Sequence, residues 1–249
     1  DVLRYVSHGK EFQHFMWIWL GRVGQYYKQR FLQKQFLMYK TLWKERMREI
    51  KYNFLHWGPW VCHYQLSSEE IESLNKLEEG EDFRKGLAGH LKDEYRLDKT
   101  RVFTILLPYL NSYAQGVFDY RRVKLPNGFD LRSAWINRQK KNEFNPPHTH
   151  DDDLSFVVYT KVPQGLKKEC EEAVHNSPGP GCITFDFNIP GGSFNNLFLN
   201  THAHLPSVGD MFIFPAALPH WVYPFKTTEG ERVSISGNIK FYDGQKKQI

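Results

Sequence analysis

The chain has 249 residues, of which 41% are hydrophobic and 16% are aromatic, so it is long enough to bury a substantial core. Its longest wholly apolar run, residues 15–20, is far shorter than the roughly 20 residues that cross a bilayer, and it lacks the flanks of a secretory signal. A net charge of +5 excludes a strongly acidic chain, and three widely spaced cysteines show no disulfide framework, which favours a reducing, cytoplasmic location.

The net positive charge lies at the N-terminal end, where residues 1–60 contain 11 Lys and Arg but only 4 Asp and Glu. Residues 11 to about 52 lack proline, and their apolar side chains recur at roughly helical spacing. This pattern predicts a basic, aromatic helical extension over residues 1–57. We expect its apolar face to pack on the chain's own domain, while its basic face suits an acidic partner. The alternative is a basic amphipathic arm that binds a membrane surface, a nucleic acid or another protein.

A second unit, residues 58–249, is predicted to begin with helices after Gly58-Pro59. Ser67-Ser-Glu-Glu70 predicts a helix start, because a hydroxyl can cap the first amides and acidic residues favour the first turn. A further helix is predicted from Arg101 through Tyr113, with an interruption near Pro108.

After Asn127-Gly128 the sequence changes to short runs rich in Val, Ile and aromatic residues, separated by Pro, Gly and Asn. This alternation is typical of antiparallel sheets. Helices followed by about seven short strands predict an α+β fold, in which the helices buttress a jelly roll or small barrel with its core at about residues 130–245. The predicted strands are residues 134–139, 154–160, 183–188, 196–199, 211–214, 220–225 and 233–242.

His148-Thr-His150 is the first candidate metal-binding motif. Residues i and i+2 of a strand point to the same side, so both imidazoles can bind one ion together with His220 from another strand. Imidazoles suit iron, zinc, copper or nickel. Asp152 offers an alternative, because His150, Asp152 and His220 would form the two-histidine-one-carboxylate set of non-haem iron oxygenases. The residues alone leave both ligand sets open.

A second His-x-His pair, His202-Ala-His204, lies in a proline-bounded segment. Such pairs are weak signals on their own, because the chain contains 11 histidines. His202 and His204 are the weaker candidates, because the residues that follow His148-Thr-His150 give additional support to that first pair.

Arg232-Val-Ser234 supplies that support, twelve residues after His220. On a strand, Arg232 and Ser234 share one face, where a guanidinium can form two hydrogen bonds to a carboxylate and a hydroxyl can add a third. The alternative is a surface arginine paired with a nearby glutamate.

Taken together, these motifs resemble those of the Fe(II)/2-oxoglutarate-dependent oxygenases common in bacterial and phage genomes. The family signatures HxH…LSGxxY and FPSxLxH…ERIS correspond here to His148-Thr-His150, Leu154-Ser-Phe-Val-Val-Tyr159, Phe214-Pro-Ala-Ala-Leu-Pro-His220 and Glu231-Arg-Val-Ser234. Two departures are visible, since Phe156 replaces the usual glycine and Ala216 the usual serine.

The resemblance implies a double-stranded β-helix that binds Fe(II) and uses 2-oxoglutarate and O2 as co-substrates. The implied iron ligands are His148, His150 and His220, with Asp152 a rival for one proximal place. Arg232 and Ser234 would hold the distal carboxylate of 2-oxoglutarate, and Ser155 and Tyr159 would face the same cavity.

The expected activity is a dioxygenase, most simply a hydroxylase, that acts on an unidentified small molecule or protein side chain. Two alternatives remain at this point. One is a cupin-like metalloenzyme that does not use 2-oxoglutarate, and the other is a non-catalytic jelly-roll binding module.

Overall fold

The computed structural model describes residues 58–122, 126–174, 179–187 and 201–242, which all belong to the unit that spans residues 57–249. The basic helical extension predicted over residues 1–57 and the strand predicted over residues 196–199 lie outside the described residues. The division of the chain at residue 57 therefore stays a prediction.

Three α-helices occur in the described part: α1 (Ser68–Asn75), α2 (Lys99–Arg121) and α3 (Leu166–Glu172). Ser67 starts α1 as predicted, because its hydroxyl accepts the Glu70 amide and the Glu70 carboxylate accepts the Ser67 amide at 2.8 Å. A short 3-10 turn follows at Arg84–Gly86. No helix in this part of the chain is both long enough and apolar enough to span a bilayer.

Helix α2 runs through Pro108 without a break, so the predicted interruption is wrong. An internal proline costs a helix about 3 kcal/mol. Each buried apolar side chain contributes about 1.5–3 kcal/mol, so the inward face of α2 outweighs that cost. Its buried side chains include Val102, Leu106, Leu110 and Tyr113.

In the described residues, ten strands form two antiparallel sheets, which confirms the predicted α+β double-stranded β-helix, or jelly roll. The six-stranded sheet has the order β1 (Cys62–Gln65), β8 (Asp210–Pro215), β5 (Leu154–Lys161), β10 (Arg232–Tyr242), β3 (Gly128–Gln139) and β2 (Glu94–Arg96). The four-stranded sheet has the order β4 (Asn145–His148), β9 (His220–Val222), β6 (Ile183–Asp186) and β7 (Thr201–His204).

Strand β5 shows how the layers divide, because it is buried on both faces. Phe156 and Val158 pack into the core that α1 and α2 form on the outer face of the six-stranded sheet. Val157 and Tyr159 pack into a second core between the two sheets. Helices α1 and α2 thus cover the outside of the large sheet, as predicted, and leave the space between the sheets for a site.

Replacing Gly237 by alanine should destabilise the protein by about 1–3 kcal/mol or more. A Cβ atom at this position on β10 would collide with the Ser133 carbonyl oxygen and would lie 2.6 Å from the Phe156 ring. Gly116, which has open space around it in α2, provides the control. Gly116→Ala should stabilise by about 0.5–1 kcal/mol through helix propensity. Urea unfolding of both variants measures the difference, and equal midpoints would contradict this packing.

Candidate metal and carboxylate site

The three predicted histidines meet between strands β4 and β9. His148 lies directly opposite His220 in the antiparallel register of this pair. His150 lies beyond the end of β4, so the prediction that strand alternation places it beside His148 is wrong. Instead, its amide donates a hydrogen bond of 2.9 Å to the Ala216 carbonyl, which fixes the residue beside the other two.

The orientation of two of the rings leaves their Nε2 atoms available. Nδ1 of His148 lies 2.8 Å from the Pro146 carbonyl oxygen, and Nδ1 of His220 lies 2.9 Å from the Leu218 carbonyl oxygen. A carbonyl can only accept, so the proton of each neutral ring is on Nδ1 and the lone pair is on Nε2. Backbone carbonyls orient metal-binding histidines in the same way.

The imidazoles are close enough to share an ion and are kept neutral. The potential ligand atoms of the three residues all lie within 4.8 Å of one another. Burial, followed by the charge of neighbouring His148, lowers the pKa of His150 to about 4 and that of His220 to about 3. Burial also lowers the pKa of His148. At neutral pH the group therefore presents uncharged nitrogen ligands.

Asp152, the rival ligand, is not a member of this group of ligand atoms. It is half-buried and does not line the cavity that contains the three histidines. The neighbouring Asp153 carboxylate accepts hydrogen bonds from the Phe241 amide at 2.7 Å and from Lys240 at 3.0 Å. The geometry therefore favours the three-histidine set over the set with a carboxylate.

Arg232 and Ser234 point into the same cavity from β10, as their spacing predicted. Arg232 is only 1% exposed, and its guanidinium donates a single hydrogen bond of 3.3 Å to the Gly181 carbonyl. The Nε atom of Arg232 has no partner among the described residues. The glutamate beside it, Glu231, pairs instead with Arg138 and Lys161, which rules out the surface ion pair.

Ser155 and Tyr159 also line the cavity. The Ser155 hydroxyl donates to the Asn238 amide oxygen at 2.8 Å, whereas the fully buried Tyr159 hydroxyl has no partner in the described part of the chain. The Arg232 guanidinium carbon lies 5.1 Å from the centre of the Tyr159 ring. Two polar groups with unused hydrogen-bonding capacity therefore lie side by side at one end of the cavity.

Neither departure from the family signature blocks this site. Phe156 also contributes to the cavity lining, but it packs in the outer core, where the missing side chain of Gly237 on the paired strand leaves room for its ring. Ala216 contributes through its backbone, because its carbonyl accepts the His150 amide and its own amide donates to the Asp153 carbonyl at 3.1 Å. A serine side chain at residue 216 is not required for either bond.

Five other polar or aromatic residues that line the cavity were not found from the sequence motifs: Glu94, Trp135, Asn137, Asn145 and Ser236. The Asn137 amide nitrogen lies 3.5 Å from the Ser234 hydroxyl and 3.4 Å from the Ser236 hydroxyl. Alternation along β3 and β10 could have placed Asn137 and Ser236 on the inward face. Glu94 lies on a three-residue strand that carries no such pattern.

Residues 133–238 match the model of a protein family described as "Putative 2OG-Fe(II) oxygenase". This match confirms the family resemblance inferred from the motifs. No curated protein matches the chain.

Solved structures that resemble the chain include the viral collagen prolyl hydroxylase of Paramecium Bursaria Chlorella virus-1, with 16% identity, a TM-score of 0.44, and coverage of 72% of this chain and 94% of that one. An oxidoreductase of the 2OG-Fe(II) oxygenase family from Burkholderia pseudomallei has 15% identity and a TM-score of 0.46. The match covers 76% of this chain and 88% of that one. HygX from Streptomyces hygroscopicus, with nickel and 2-oxoglutarate bound, has 15% identity, a TM-score of 0.43, and coverage of 74% and 82%.

We expect Glu94→Gln to reduce the pH dependence of stability. Burial, and then the charge of Glu143, raise the pKa of Glu94 from 4.5 to about 7. Between these values the folded protein keeps a proton that the unfolded chain has lost, so the free energy of unfolding falls as the pH rises from 4.5 to 7. The raised pKa of Glu94 changes the free energy of unfolding by on the order of 3 kcal/mol over this pH range, and the variant should lose this change.

Urea unfolding at pH 5 and pH 7.5 measures this contribution in the metal-free protein. Glu72→Gln is the control, because Glu72 is exposed in a surface pair with Lys76. An unchanged pH dependence in Glu94→Gln would show that the carboxyl is not buried in the folded protein.

Proposed function

With residues 133–238 matched to the 2OG-Fe(II) oxygenases, we propose that this protein is a non-haem Fe(II)- and 2-oxoglutarate-dependent dioxygenase that acts as a hydroxylase. One observation carries the proposal. A single cavity contains three clustered neutral imidazoles and a buried arginine whose hydrogen-bonding capacity is only partly used.

His148, His150 and His220 fit an iron site by their chemistry. Imidazole nitrogens are ordinary ligands of Fe(II), and three of them leave coordination positions for other ligands. The carbonyls of Pro146 and Leu218 hold two of the rings with Nε2 unprotonated, so no proton has to leave before a metal binds. We therefore assign the ligand set to the three histidines rather than to a set containing Asp152.

Arg232 fits the distal carboxylate of 2-oxoglutarate. A buried guanidinium is unfavourable unless an anion or several acceptors accompany it, and the described structure supplies only the Gly181 carbonyl as an acceptor. A carboxylate could accept from the free Nε and from a second nitrogen in the parallel geometry that arginine prefers. Ser234, which lines the cavity from the same strand, and Tyr159 can add hydroxyl donors.

When bound, Fe(II) and 2-oxoglutarate supply oxidative decarboxylation of the keto acid by O2 to succinate and CO2, coupled to hydroxylation of the substrate. The residues of the chain bind and orient these groups and keep water away. Val157, Phe185 and Phe214 belong to the apolar core between the sheets that adjoins the histidines. The ring centroids of Phe214 and His220 lie 4.8 Å apart, so apolar side chains keep water from one side of the metal site.

The primary substrate, a small molecule or a protein side chain, is not identified by these residues. A cupin-like enzyme independent of 2-oxoglutarate would leave the buried Arg232 without a role. The predicted contact between the basic N-terminal segment and an acidic partner also remains part of the proposal, as does a cytoplasmic location, which is consistent with three free cysteines.

His220→Gln should abolish Fe(II)-dependent production of succinate from 2-oxoglutarate, because it removes the ligand that β9 supplies opposite β4. The measurement is succinate formed under air without added substrate, since this assay needs only the co-substrates. His202→Gln, at an exposed position outside the cavity, should retain the wild-type rate. Turnover by His220→Gln would remove this residue from the ligand set.

Arg232→Ala should weaken binding of 2-oxoglutarate at least about 30-fold, corresponding to about 2 kcal/mol, while metal affinity stays within about threefold. Calorimetric titration of the Ni(II)-loaded protein with 2-oxoglutarate measures this change without turnover. Arg132→Ala is the matched control, because Arg132 is exposed on β3 in a surface pair with Asp130. If the affinity were unchanged in Arg232→Ala, the carboxylate would have to bind elsewhere.

A further inference from the structure

We propose that His63, His204 and Asp210 form a second divalent-cation site, suited to Zn²⁺, that joins the two sheets at one edge of the jelly roll. His63 lies on β1 and Asp210 on β8 of the six-stranded sheet, whereas His204 lies on β7 of the four-stranded sheet. The potential ligand atoms of the three residues all lie within 4.8 Å of one another. This inference does not depend on the oxygenase activity proposed above.

The Asp210 carboxylate lies between the two imidazoles. Its Oδ1 is 2.9 Å from Nε2 of His63, and its Oδ2 is 2.8 Å from Nε2 of His204. The Ser207 amide also donates to Oδ2 at 2.7 Å, which fixes the direction of the carboxylate. Three side chains from three strands thus present two nitrogens and one carboxylate to a common point.

Both imidazoles are positioned by the same aromatic ring. The His63 ring stacks on Phe212 with a centroid distance of 4.6 Å and an interplanar angle of 12°. The His204 ring meets Phe212 edge-on at 5.0 Å. Because Phe212 is buried in the core between the sheets, the two ligand rings rest on a rigid support. Little conformational entropy would then be lost when a cation binds.

The donor set and the spacing suit zinc. Zn²⁺ binds histidine nitrogen and carboxylate oxygen at about 2.0–2.2 Å, so two ligand atoms of one ion lie about 3.0–3.5 Å apart. The observed nitrogen–oxygen separations are shorter by a few tenths of an ångström, a difference that small side-chain rotations can supply. The His63 side chain is 46% exposed and the Asp210 side chain 6%, so one side is open to an entering ion and to water ligands.

The alternative to a bound cation is a group in which two imidazole protons hydrogen-bond to the Asp210 carboxylate. Each neutral imidazole can donate an Nε2 proton to Asp210, and the three residues then form a hydrogen-bonded group without a cation. In contrast to His148 and His220, neither His63 nor His204 has a backbone carbonyl at Nδ1 among the described residues. Missing support of this kind costs about 10–100-fold in metal affinity, so we expect this site to bind more weakly than the three-histidine site.

Zinc titration of the metal-free full-length protein tests the proposal, with bound metal counted by elemental analysis and affinity measured by calorimetry. His63→Gln and His204→Gln should each bind one equivalent fewer than the wild type, or bind that equivalent at least about tenfold more weakly. His202→Gln is the matched control, because it lies two residues from His204 on the same strand and should retain the wild-type stoichiometry.

His220→Gln separates the two sites, since it should lose the tighter equivalent and keep the weaker one. Zn²⁺ should also raise the melting temperature of His220→Gln and His202→Gln, and this increase should be smaller in His63→Gln and His204→Gln. Unchanged stoichiometry and affinity in both His63→Gln and His204→Gln would overturn the proposal and leave a hydrogen-bonded group without a metal. That outcome would not affect the test of succinate production.

Discussion

The antiparallel pairing of β4 with β9 is the contact on which the candidate site depends. It brings residues that are 72 positions apart in the sequence into direct opposition, with His148 across from His220. The same short segments supply the Pro146 and Leu218 carbonyls that set the tautomers of the two rings. One strand pair therefore fixes the position, the orientation and the protonation state of two ligands together.

Two buried ionisable groups, the Arg232 guanidinium and the Glu94 carboxyl, lower the stability of the fold around the cavity. The Arg232 guanidinium has a single acceptor, and the Glu94 carboxyl has one oxygen without a partner in the described structure. A fold selected only for stability would replace both with apolar side chains, because buried groups with unused hydrogen-bonding capacity cost about 1–3 kcal/mol each. Their presence in the cavity that contains the three histidines is best explained by ligands that complete their hydrogen bonds.

Much of the fold could be predicted from the sequence, for reasons that particular residues illustrate. The helix start at Ser67 depends on a local capping pattern, and β5, β8 and β10 are rich in the apolar residues that fill two cores. The α2 helix was predicted too short because Pro108 is a strong local signal, whereas the opposing burial of its apolar face depends on tertiary contacts.

The short strands β1, β2, β4 and β7 were not predicted, because three or four residues that are mostly polar or proline carry no periodic signal. The candidate site, too, could be predicted only in part from the sequence. His148, His220 and Arg232 could be selected from motifs, but the position of His150 depends on a long-range hydrogen bond to Ala216. Glu94 enters the cavity only because β2 pairs with β3, opposite Asn137. The grouping of His204 with His63 and Asp210, rather than with His202, likewise depends on how the sheets close.

The two consecutive prolines of β4 have a consequence for assembly. This strand forms one border of the four-stranded sheet, and Pro146 and Pro147 have no amide proton to offer a neighbouring chain. Unprotected borders of sheets invite other chains to add a strand, which leads to aggregation. The sheet edge that carries His148 is therefore poorly suited to self-association through strand addition, so another copy of the protein is less able to cover this proposed metal ligand.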